Sequence, residues 1–510
     1  MTLCPASTVC DSANSVATLV TAVAASILFS GAANAEDHNQ QQAVQPKLVV
    51  AISVDQLSAN LFDEYRGRFT GGLKRLADGV VFPSGYQSHA ATETCPGHST
   101  IMTGVHSGRA GIIANNWIDL SIKRDDKTVY CAEDERIEGT SFGDITAAMQ
   151  GDYIASAWHL LVPTLGERLK AISAESRNVA VAGKDRAALM MGGKNVDEIY
   201  WWKGKGFSTL EGRKTLPSVA ALNAAIGEQI DKARPAYAIP AQCVAHNARI
   251  MHGENKSVGD YAFQRPEGAS SIYRGSPDFD SSILAAATAV INELKLGQGE
   301  ATDVISVGLS ATDYIGHAFG TGGLEMCIQM AELDRSLGQF FDILDRDGID
   351  YVVMLTADHG GLDLPERMSL QGVPAAQRID PNLNAGAIDK PVLYADSPFG
   401  DYYISLDLTE KQRQRVKDSA MALIAAHAQV EAVLDREDLE GIMIPDGSPE
   451  SWTLAQRVKA SFHPDRSGDF IVLLKKAVTP IATTARGYVA THGSPWDYDR
   501  RVPILFWRSG

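Results

Sequence analysis

Short runs of consecutive apolar residues recur along the chain, and polar residues follow each run. The clearest runs are rich in Val, Ile, Leu and Ala and cover residues 48–54, 178–182, 304–309 and 351–355. Runs this short and this continuously apolar are typical of strands buried on both faces of a parallel sheet. The pattern therefore predicts a sheet that contains these segments.

Stretches with a helical pattern lie between these runs, at 281–296 and 325–344. Alternating strand and helix patterns predict an α/β fold, an open sandwich in which helices cover the sheet. Ligands of such folds bind beyond the carboxyl ends of the strands. Because polar clusters follow the apolar runs, we expect the functional site at that edge.

Two long stretches interrupt the alternation. Residues 196–276 are rich in Gly, Pro and aromatic residues, and residues 362–481 separate two polar clusters described below. Both are predicted to be insertions in one catalytic domain that covers 47–510, or a cap over its site.

The first 35 residues differ from the rest, since Asp11 is their only charged residue. Residues 16–33 are small and mostly apolar, and Ala33-Asn34-Ala35 precedes a polar segment. This pattern predicts a secretory signal peptide over 1–35, although no Lys or Arg precedes the apolar stretch. We therefore predict a flexible lead-in over residues 36–46 and a periplasmic or extracellular location for the protein.

The alternative interpretation of this N-terminal stretch is a buried helix or a membrane anchor. Thr and Ser interrupt the stretch, and it is short for a helix that spans a bilayer. No later segment is long and apolar enough to span one. We therefore expect no stable membrane anchor.

Composition narrows the class of protein. The chain has 510 residues, of which 45% are hydrophobic and 21% charged, and its net charge is −16. This is ordinary for a globular protein, and an acidic surface does not favour nucleic acid as a partner.

Cleavage after residue 35 would leave a small set of cysteines. They are Cys95, Cys131, Cys243 and Cys327. An oxidising compartment allows up to two disulfides, but spacing does not determine the pairing. No C-x-x-C pair is present, so a thiolate zinc site is not indicated.

Candidate metal ligands occur in four places, each near a predicted strand end. They are Asp55, the pair Asp313 and His317, the pair Asp358 and His359, and His492. Asp and His four residues apart lie on one face of a helical turn. Taken singly, each has an ordinary interpretation as a surface pair, a helix cap or a loop histidine; together they indicate a metal site.

A candidate nucleophile lies within residues 91–100, which contain Thr94-Cys95-Pro96-Gly97-His98. Pro96 suits the first position of a helix, which would put Thr94 at the helix start. Backbone N–H groups there attract an anion. Thr94 could instead simply cap the helix, and Cys95 and Thr92 are rival nucleophiles.

In combination these motifs resemble the alkaline phosphatase superfamily, in its nucleotide pyrophosphatase/phosphodiesterase-like branch. Within it, the chain is similar to the single-chain bacterial alkaline phosphatases of the PhoK and PafA type. The motifs are T-x-P-G-H at 94–98, D-x-x-x-H at 313–317, A-D-H-G-G at 357–361 and T-H-G at 491–493. The likeness runs from about Leu48 to the C-terminus. It implies a three-layer sandwich with a central, mostly parallel sheet and inserted cap regions.

The resemblance also implies two zinc ions per chain. One would be bound by Asp313, His317 and His492, and the other by Asp55, Asp358, His359 and the Thr94 hydroxyl. Mn or Co could replace zinc at such ligands. Additional Ca²⁺ is compatible with the acidic composition, but the sequence locates no site for it. Thr94 would be the nucleophile.

The family's phosphoryl-contacting residues match Asn115, Lys184 and Arg186, with Asn116 as the competitor for the Asn role. Two cations near the nonbridging oxygens favour a dianionic monoester over a diester. We therefore expect a secreted zinc-dependent alkaline phosphatase that hydrolyses small phosphate monoesters through a phosphothreonine.

The alternatives are a phosphodiesterase or nucleotide pyrophosphatase with the same core and, more remotely, a noncatalytic envelope protein that binds metal or phosphate. A sulfatase fits less well, because its C/S-x-P-x-R motif is absent at Cys95-Pro96-Gly97-His98. The sequence leaves the oligomeric state open and is compatible with a monomer.

Overall fold

The predicted apolar runs form strands in the computed structural model, which describes residues 45–137, 153–373, 375–384, 392–484 and 487–509. The predicted signal peptide and nearly all of the lead-in lie outside these residues. Within the described ranges, no helix is long and apolar enough to cross a membrane.

The strands include four that agree closely with the apolar runs, at 48–54, 178–182, 303–309 and 351–356. The strands of the described residues are β1 (Leu48–Val54), β2 (Val80–Tyr86), β3 (Asn116–Ile118), β4 (Thr128–Tyr130), β5 (Asn178–Ala182), β6 (Glu198–Lys203), β7 (Gly206–Ser208), β8 (Ile250–Gly253), β9 (Lys256–Val258), β10 (Asp303–Leu309), β11 (Tyr351–Thr356), β12 (Gln377–Arg378), β13 (Leu393–Ala395), β14 (Gly400–Ile404), β15 (Val430–Asp435), β16 (Phe470–Leu474), β17 (Val478–Thr479) and β18 (Arg501–Arg508).

The helices include both predicted ones, at α8 and α10. They are α1 (Ala59–Tyr65), α2 (Gly72–Ala77), α3 (Thr94–Thr103), α4 (Ser107–Ala110), α5 (Leu165–Ile172), α6 (Asp185–Gly192), α7 (Pro217–Asp231), α8 (Asp278–Leu294), α9 (Ala311–Phe319), α10 (Leu324–Arg346), α11 (Pro365–Leu370), α12 (Glu410–Ala425), α13 (Arg436–Glu440), α14 (Leu454–Ser461) and α15 (Asp497–Arg500).

The central sheet is eight-stranded and mostly parallel, in the order β2-β18-β11-β1-β10-β5-β6-β7. The strands from β11 to β6 are parallel to one another. The strands outside them, β18 and β2 on one side and β7 on the other, pair in antiparallel fashion. The prediction of an α/β fold around such a sheet is confirmed.

Helices cover both faces of this sheet. Val50 and Ile52 of β1 pack into a large core with α2, α8 and α10. Between them in the sequence, Ala51 faces the other side and contacts Met102 of α3 and Met191 of α6. Alternate residues of a strand point to opposite faces, so this one strand joins the two helical layers.

The stretch 196–276 is partly continuous with the core. Its first residues form β6 and β7 at one edge of the central sheet. Helix α7 then packs Val219 and Ile226 into the same core as β1. The hydrophobic residues of β6 include Tyr200 and Trp201, which are buried although the surrounding sequence is polar and irregular.

The stretch 362–481 contains a separate four-stranded antiparallel sheet, in the order β13-β14-β16-β15, which we call the cap sheet. Helix α12 packs Ile424 against Tyr402 and Val472 of this sheet in a core of its own. The predicted division of the chain into a catalytic domain and two insertions stays a prediction.

Candidate active site

Three neighbouring parallel strands bring most of the predicted metal ligands to one edge. Strands β10, β1 and β11 are adjacent in the sheet. Asp55 directly follows β1, Asp313 lies on α9 just after β10, and Asp358 and His359 follow β11. Because parallel strands end at the same edge, residues more than two hundred positions apart meet there.

The metal-ligand cluster consists of Asp55, Asp313, His317, Asp358, His359 and His492. The ligand atoms of Asp55, Asp358 and His359 lie within 4.8 Å of one another, as do those of Asp313, His359 and His492. His317 joins the second group, since its Nε2 is 3.2 Å from Asp313 Oδ1. His359 therefore belongs to both groups, whereas the family resemblance implies a place in only one of them.

The three histidines of the cluster share one orientation. In each, Nδ1 contacts a backbone carbonyl oxygen: His317 contacts Ala490 (2.9 Å), His359 contacts Gly360 (2.8 Å) and His492 contacts Thr92 (2.8 Å). A carbonyl only accepts hydrogen bonds, so each Nδ1 carries the proton and donates it. The lone pair is then on Nε2, which faces the carboxylates as a metal ligand requires.

Buried acceptors without donors show that the cluster fits a cation. Among the described residues, Asp55 Oδ1 and His359 Nε2 make no hydrogen bond, and both side chains are fully buried. Unpaired buried acceptors cost free energy unless a cation or donor satisfies them. A set of carboxylate and imidazole ligands suits a divalent transition metal.

The ionisable groups of the cluster have pKa values that are shifted in different directions. Burial raises the pKa of Asp55, and the carboxylates of Asp313 and Asp358 raise it further. Burial also opposes ionisation of Asp358, yet His359 and His98 hold its pKa well below the usual range. Burial lowers the pKa of His359 to about 3, so this imidazole is neutral at neutral pH. A neutral imidazole is the form that binds metal.

Thr94 is the first residue of α3, and its side chain is fully buried. The N-cap is Glu93, so the Thr94 hydroxyl does not cap the helix. Pro96 is the third residue of α3 rather than the first. Proline is tolerated in the first turn because the N–H groups there have no partner within the helix.

The rival nucleophiles are engaged elsewhere. Thr92 Oγ1 donates to the carbonyl oxygen of Ser494 at 2.7 Å. Cys95 forms a disulfide with Cys131, and the other pair is Cys243 with Cys327. Of the three candidates, Thr94 is the one whose side-chain oxygen lies beside the Lys184 ammonium, with Oγ1 3.4 Å from Nζ.

The Gly-His pair of the T-x-P-G-H motif brings α3 against the cluster. A Cβ on Gly97 would lie 2.2 Å from the carbonyl oxygen of Asp358, so only glycine permits this approach. His98 Nδ1 lies 3.2 Å from Asp358 Oδ2 and 2.8 Å from the Thr94 carbonyl oxygen. His98 therefore links the candidate nucleophile to a candidate ligand, a role that its motif position alone did not reveal.

Lys184 lies at the centre of the site. Its Nζ is 2.5 Å from Asp55 Oδ2, 2.6 Å from Asp313 Oδ2 and 3.4 Å from Thr94 Oγ1. Burial opposes its charge, but the carboxylates of Asp313 and Asp55 raise its pKa above the usual value. Lys184 is therefore a buried, fixed cation beside Thr94.

Arg186 follows on the first turn of α6. Its Nε is buried and has no hydrogen-bond partner within the described part of the chain. The neighbouring Asp185 accepts hydrogen bonds from the Tyr130 and Tyr153 hydroxyls, at 2.9 Å and 2.5 Å. An unpaired buried guanidinium N–H is a donor that an anionic ligand would satisfy.

Asn115 and Asn116 differ in position. Asn115 Oδ1 accepts a hydrogen bond from the Cys95 backbone N–H at 2.8 Å, next to Thr94. Asn116 lies in β3 and lines a cavity of about 90 Å³ that residues of the cap sheet also line. Asn115 is therefore the one beside the start of α3.

Comparison with known families agrees with this arrangement. The sequence profile of type I phosphodiesterase / nucleotide pyrophosphatase matches residues 49–495, nearly the whole described chain. The chain belongs to this family. The prediction of the nucleotide pyrophosphatase/phosphodiesterase-like branch of the alkaline phosphatase superfamily is thereby confirmed.

Two relatives within the family are similar over most of their length. Alkaline phosphatase PhoK of Sphingomonas sp. is 52% identical over 92% of this chain and 85% of its own. Alkaline phosphatase PhoD of Zymomonas mobilis is 47% identical over 90% of this chain and 81% of its own. The predicted assignment to the alkaline phosphatase enzymes is confirmed at this level.

A solved structure supports the fold. The crystal structure of alkaline phosphatase PafA superimposes with a TM-score of 0.77, at 24% identity, over 91% of each chain. At this identity the likeness concerns the fold, and it confirms the predicted alkaline-phosphatase-like architecture.

Proposed function

We propose that this family member is an exported, zinc-dependent phosphatase of small phosphate monoesters that works through a phosphothreonine at Thr94. The observation that carries the proposal is the position of Lys184, whose ammonium contacts Asp55 and Asp313 and lies 3.4 Å from Thr94 Oγ1. A phosphoryl group bonded to Thr94 would meet this buried cation. A dianionic monoester gains more from such a cation than a monoanionic diester does.

The metal-ligand cluster is proposed to hold two zinc ions. Asp313, His317 and His492 would bind one; Asp55, Asp358, His359 and the Thr94 hydroxyl would bind the other. When bound, zinc supplies Lewis-acid stabilisation of charge on oxygen and makes hydroxyl groups ionise near neutral pH. The acceptor-only character of the cluster and the shared orientation of its histidines support this assignment.

The residues of the chain then divide the reaction between them. Thr94 Oγ gives up its proton to solvent and attacks phosphorus in line with the ester oxygen. The P–O bond to the leaving alcohol breaks, and the leaving alkoxide takes up one proton from solvent, so that the protons balance. Lys184, Arg186 and Asn115 hold the nonbridging oxygens throughout. Water then attacks the phosphothreonine, releasing inorganic phosphate and restoring the hydroxyl.

Rates on matched aryl substrates test the proposal. A purified sample with two zinc ions per chain should hydrolyse an aryl phosphate monoester faster than the corresponding diester by a factor of about a hundred or more, since Lys184 and Arg186 favour the second negative charge. Metal content is measured by elemental analysis on the same sample.

The other outcomes identify the alternatives. A faster rate on the diester would make the chain a phosphodiesterase or nucleotide pyrophosphatase with the same core. Stoichiometric metal without release of phosphate from either ester would indicate a noncatalytic metal-binding protein. Export is tested separately, by finding the N-terminus of the purified native protein after residue 35.

A further inference from the structure

A short hairpin beside the nucleophile carries the candidate phosphoryl contact Asn115. Strands β3 and β4 pair in antiparallel fashion, with Asn116 opposite Tyr130. The pairing extends one step further, because the Cys131 backbone N–H donates to the Asn115 carbonyl oxygen at 2.9 Å. Asn115 and Cys131 thus form the last pair of the hairpin, next to the start of α3.

Asn115, at the start of the hairpin, is hydrogen-bonded to the residues that precede and follow Thr94 in the sequence. On one side, Glu93 Oε2 accepts a hydrogen bond from the Asn115 backbone N–H at 2.5 Å. On the other side, the Cys95 backbone N–H donates to Asn115 Oδ1 at 2.8 Å. Cys95 is also cross-linked to Cys131. The N–H, the carbonyl oxygen and the side-chain oxygen of Asn115 therefore all have partners within this set.

We propose that Glu93 and the Cys95–Cys131 disulfide are positioning residues for Asn115. Together with Asn115 they form what we call the Asn115 clamp. Asn115 Oδ1 is held by Cys95, so the amide nitrogen of Asn115 is the group left to contact a phosphoryl oxygen. The inference rests on the proposed function, because it assumes that Asn115 contacts the phosphoryl group on Thr94.

The clamp fixes Asn115 relative to Thr94 without using the metal ligands. Its bonds reach only the residues that flank Thr94 and the hairpin that they hold. A catalytic donor must be held within a fraction of an ångström of its productive position to stabilise a transition state. Loosening the clamp should therefore reduce turnover while leaving metal binding intact.

Glu93 is the more direct probe of the clamp. The hairpin also carries Tyr130, whose hydroxyl donates to Asp185 beside Arg186. Removing the disulfide can therefore disturb Arg186 as well as Asn115. The Glu93 carboxylate, by contrast, bonds the backbone of Asn115 directly.

A double-mutant cycle on the zinc-loaded enzyme tests the proposal, with kcat/KM on an aryl phosphate monoester as the readout. Asn115→Ala should lower kcat/KM about a hundredfold, as loss of a transition-state donor does. Glu93→Ala should lower it about tenfold, but by less than about twofold in the Asn115→Ala background, because coupled residues are not additive. Glu93→Gln keeps a carbonyl oxygen as acceptor and should restore the rate to within about threefold of the parent.

The disulfides provide a second route that does not depend on the folding of Glu93→Ala. Cys95→Ala/Cys131→Ala should lower kcat/KM at least about fivefold with two zinc ions retained, an effect that again shrinks in the Asn115→Ala background. The matched control is Cys243→Ala/Cys327→Ala, which removes the other disulfide. That pair should leave kcat/KM unchanged.

Three results would overturn the proposal, and they do not all have the same meaning. If Glu93→Ala and Asn115→Ala lower kcat/KM additively, or if Glu93→Gln is as impaired as Glu93→Ala, the clamp is wrong while the role of Asn115 stands. If Asn115→Ala alone leaves kcat/KM unchanged, the role of Asn115 in the proposed function is wrong, and the clamp is refuted with it.

Discussion

The metal-ligand cluster and the Asn115 clamp meet at Thr94, but different kinds of structure hold them. The cluster lies at the carboxyl edge of the central sheet, where β10, β1 and β11 fix Asp55, Asp313 and Asp358 by strand register. The clamp lies outside that sheet, on a hairpin of two three-residue strands tied down by a disulfide and hydrogen bonds. The two regions should therefore fail separately: one by losing metal, the other by misplacing a donor.

The largest expected effect comes from removing a ligand of the cluster. Asp358→Ala should lose one zinc ion per chain and lower kcat by at least about a thousandfold, because metal stabilisation of the transition state amounts to several kcal/mol. Elemental analysis and steady-state rates measure both. Asp342→Asn, at an exposed carboxylate, is the control and should change neither. Full activity of Asp358→Ala with both zinc ions retained would remove Asp358 from the site.

Lys184 contacts the cluster and lies beside Thr94, and its removal should give the next largest effect. Lys184→Ala should lower kcat/KM on a monoester about a hundredfold or more, because a buried cation beside the reacting group is lost. The diester rate should fall less, and zinc should remain. Lys203→Ala, at an exposed lysine at the end of β6, is the matched control. An equal loss of kcat/KM on the monoester and the diester would contradict the proposal that Lys184 favours the dianionic phosphoryl group.

His98 tests whether the supports of the cluster differ from those of the clamp. Its Nδ1 is 3.2 Å from Asp358 Oδ2, so His98→Ala should weaken zinc binding about tenfold to a hundredfold, as loss of a residue behind a ligand does. Competition with a chelator measures the affinity, and saturating zinc should restore most of the activity. Loss of activity with unchanged zinc affinity would make His98 resemble Glu93, and the distinction between the two regions would fail.

The smallest effect is expected from changing a buried carboxyl group that accepts a hydrogen bond from the start of α9, the helix that carries Asp313 and His317. Asp280 on α8 accepts hydrogen bonds from the Ala311 backbone N–H and from Gln329 Nε2, both at 2.8 Å, and burial raises its pKa to about 6. Because the pKa of this carboxyl group is higher in the folded state than in the unfolded state, its protonated form stabilises the fold at low pH. This contribution to the free energy of unfolding decreases as pH rises from about 4 to about 6 and is absent at higher pH.

Asp280→Asn removes this titration. Relative to the parent, the metal-depleted variant should therefore gain about 2 kcal/mol in free energy of unfolding between pH 4 and pH 8, as measured by urea unfolding. The Asn side chain keeps an oxygen for Ala311, and zinc-loaded activity at neutral pH should be unchanged. An equal stability difference at both pH values would show that Asp280 does not titrate in this range.

The two regions also differ in how far the sequence predicted them. The metal ligands follow continuous apolar runs, so strand ends and fold class together placed Asp55, Asp313 and Asp358 at one edge. The sequence pattern does not predict strand β6, because its Tyr and Trp residues lie between polar neighbours in an irregular stretch. The sequence predicts a buried strand or helix only where its hydrophobic residues are periodic or continuous.

The clamp could not be derived from local pattern at all. Its contacts join residues 93, 95, 115 and 131, and no periodicity relates them. The choice between Asn115 and Asn116, and the pairing of Cys95 with Cys131, depend on how the hairpin packs against α3. The same packing joins Cys95 to Cys131 in a disulfide, so Cys95 has no free thiol to act as a nucleophile.

The most direct test of the account is to identify the phosphorylated residue during turnover. The zinc-loaded enzyme is mixed with an excess of aryl phosphate monoester, quenched in acid and digested, and the peptides are analysed by mass spectrometry. The account predicts phosphate on Thr94, and neither phosphate nor appreciable turnover in zinc-loaded Thr94→Ala. Phosphate on a different residue, or substantial turnover by zinc-loaded Thr94→Ala, would contradict it.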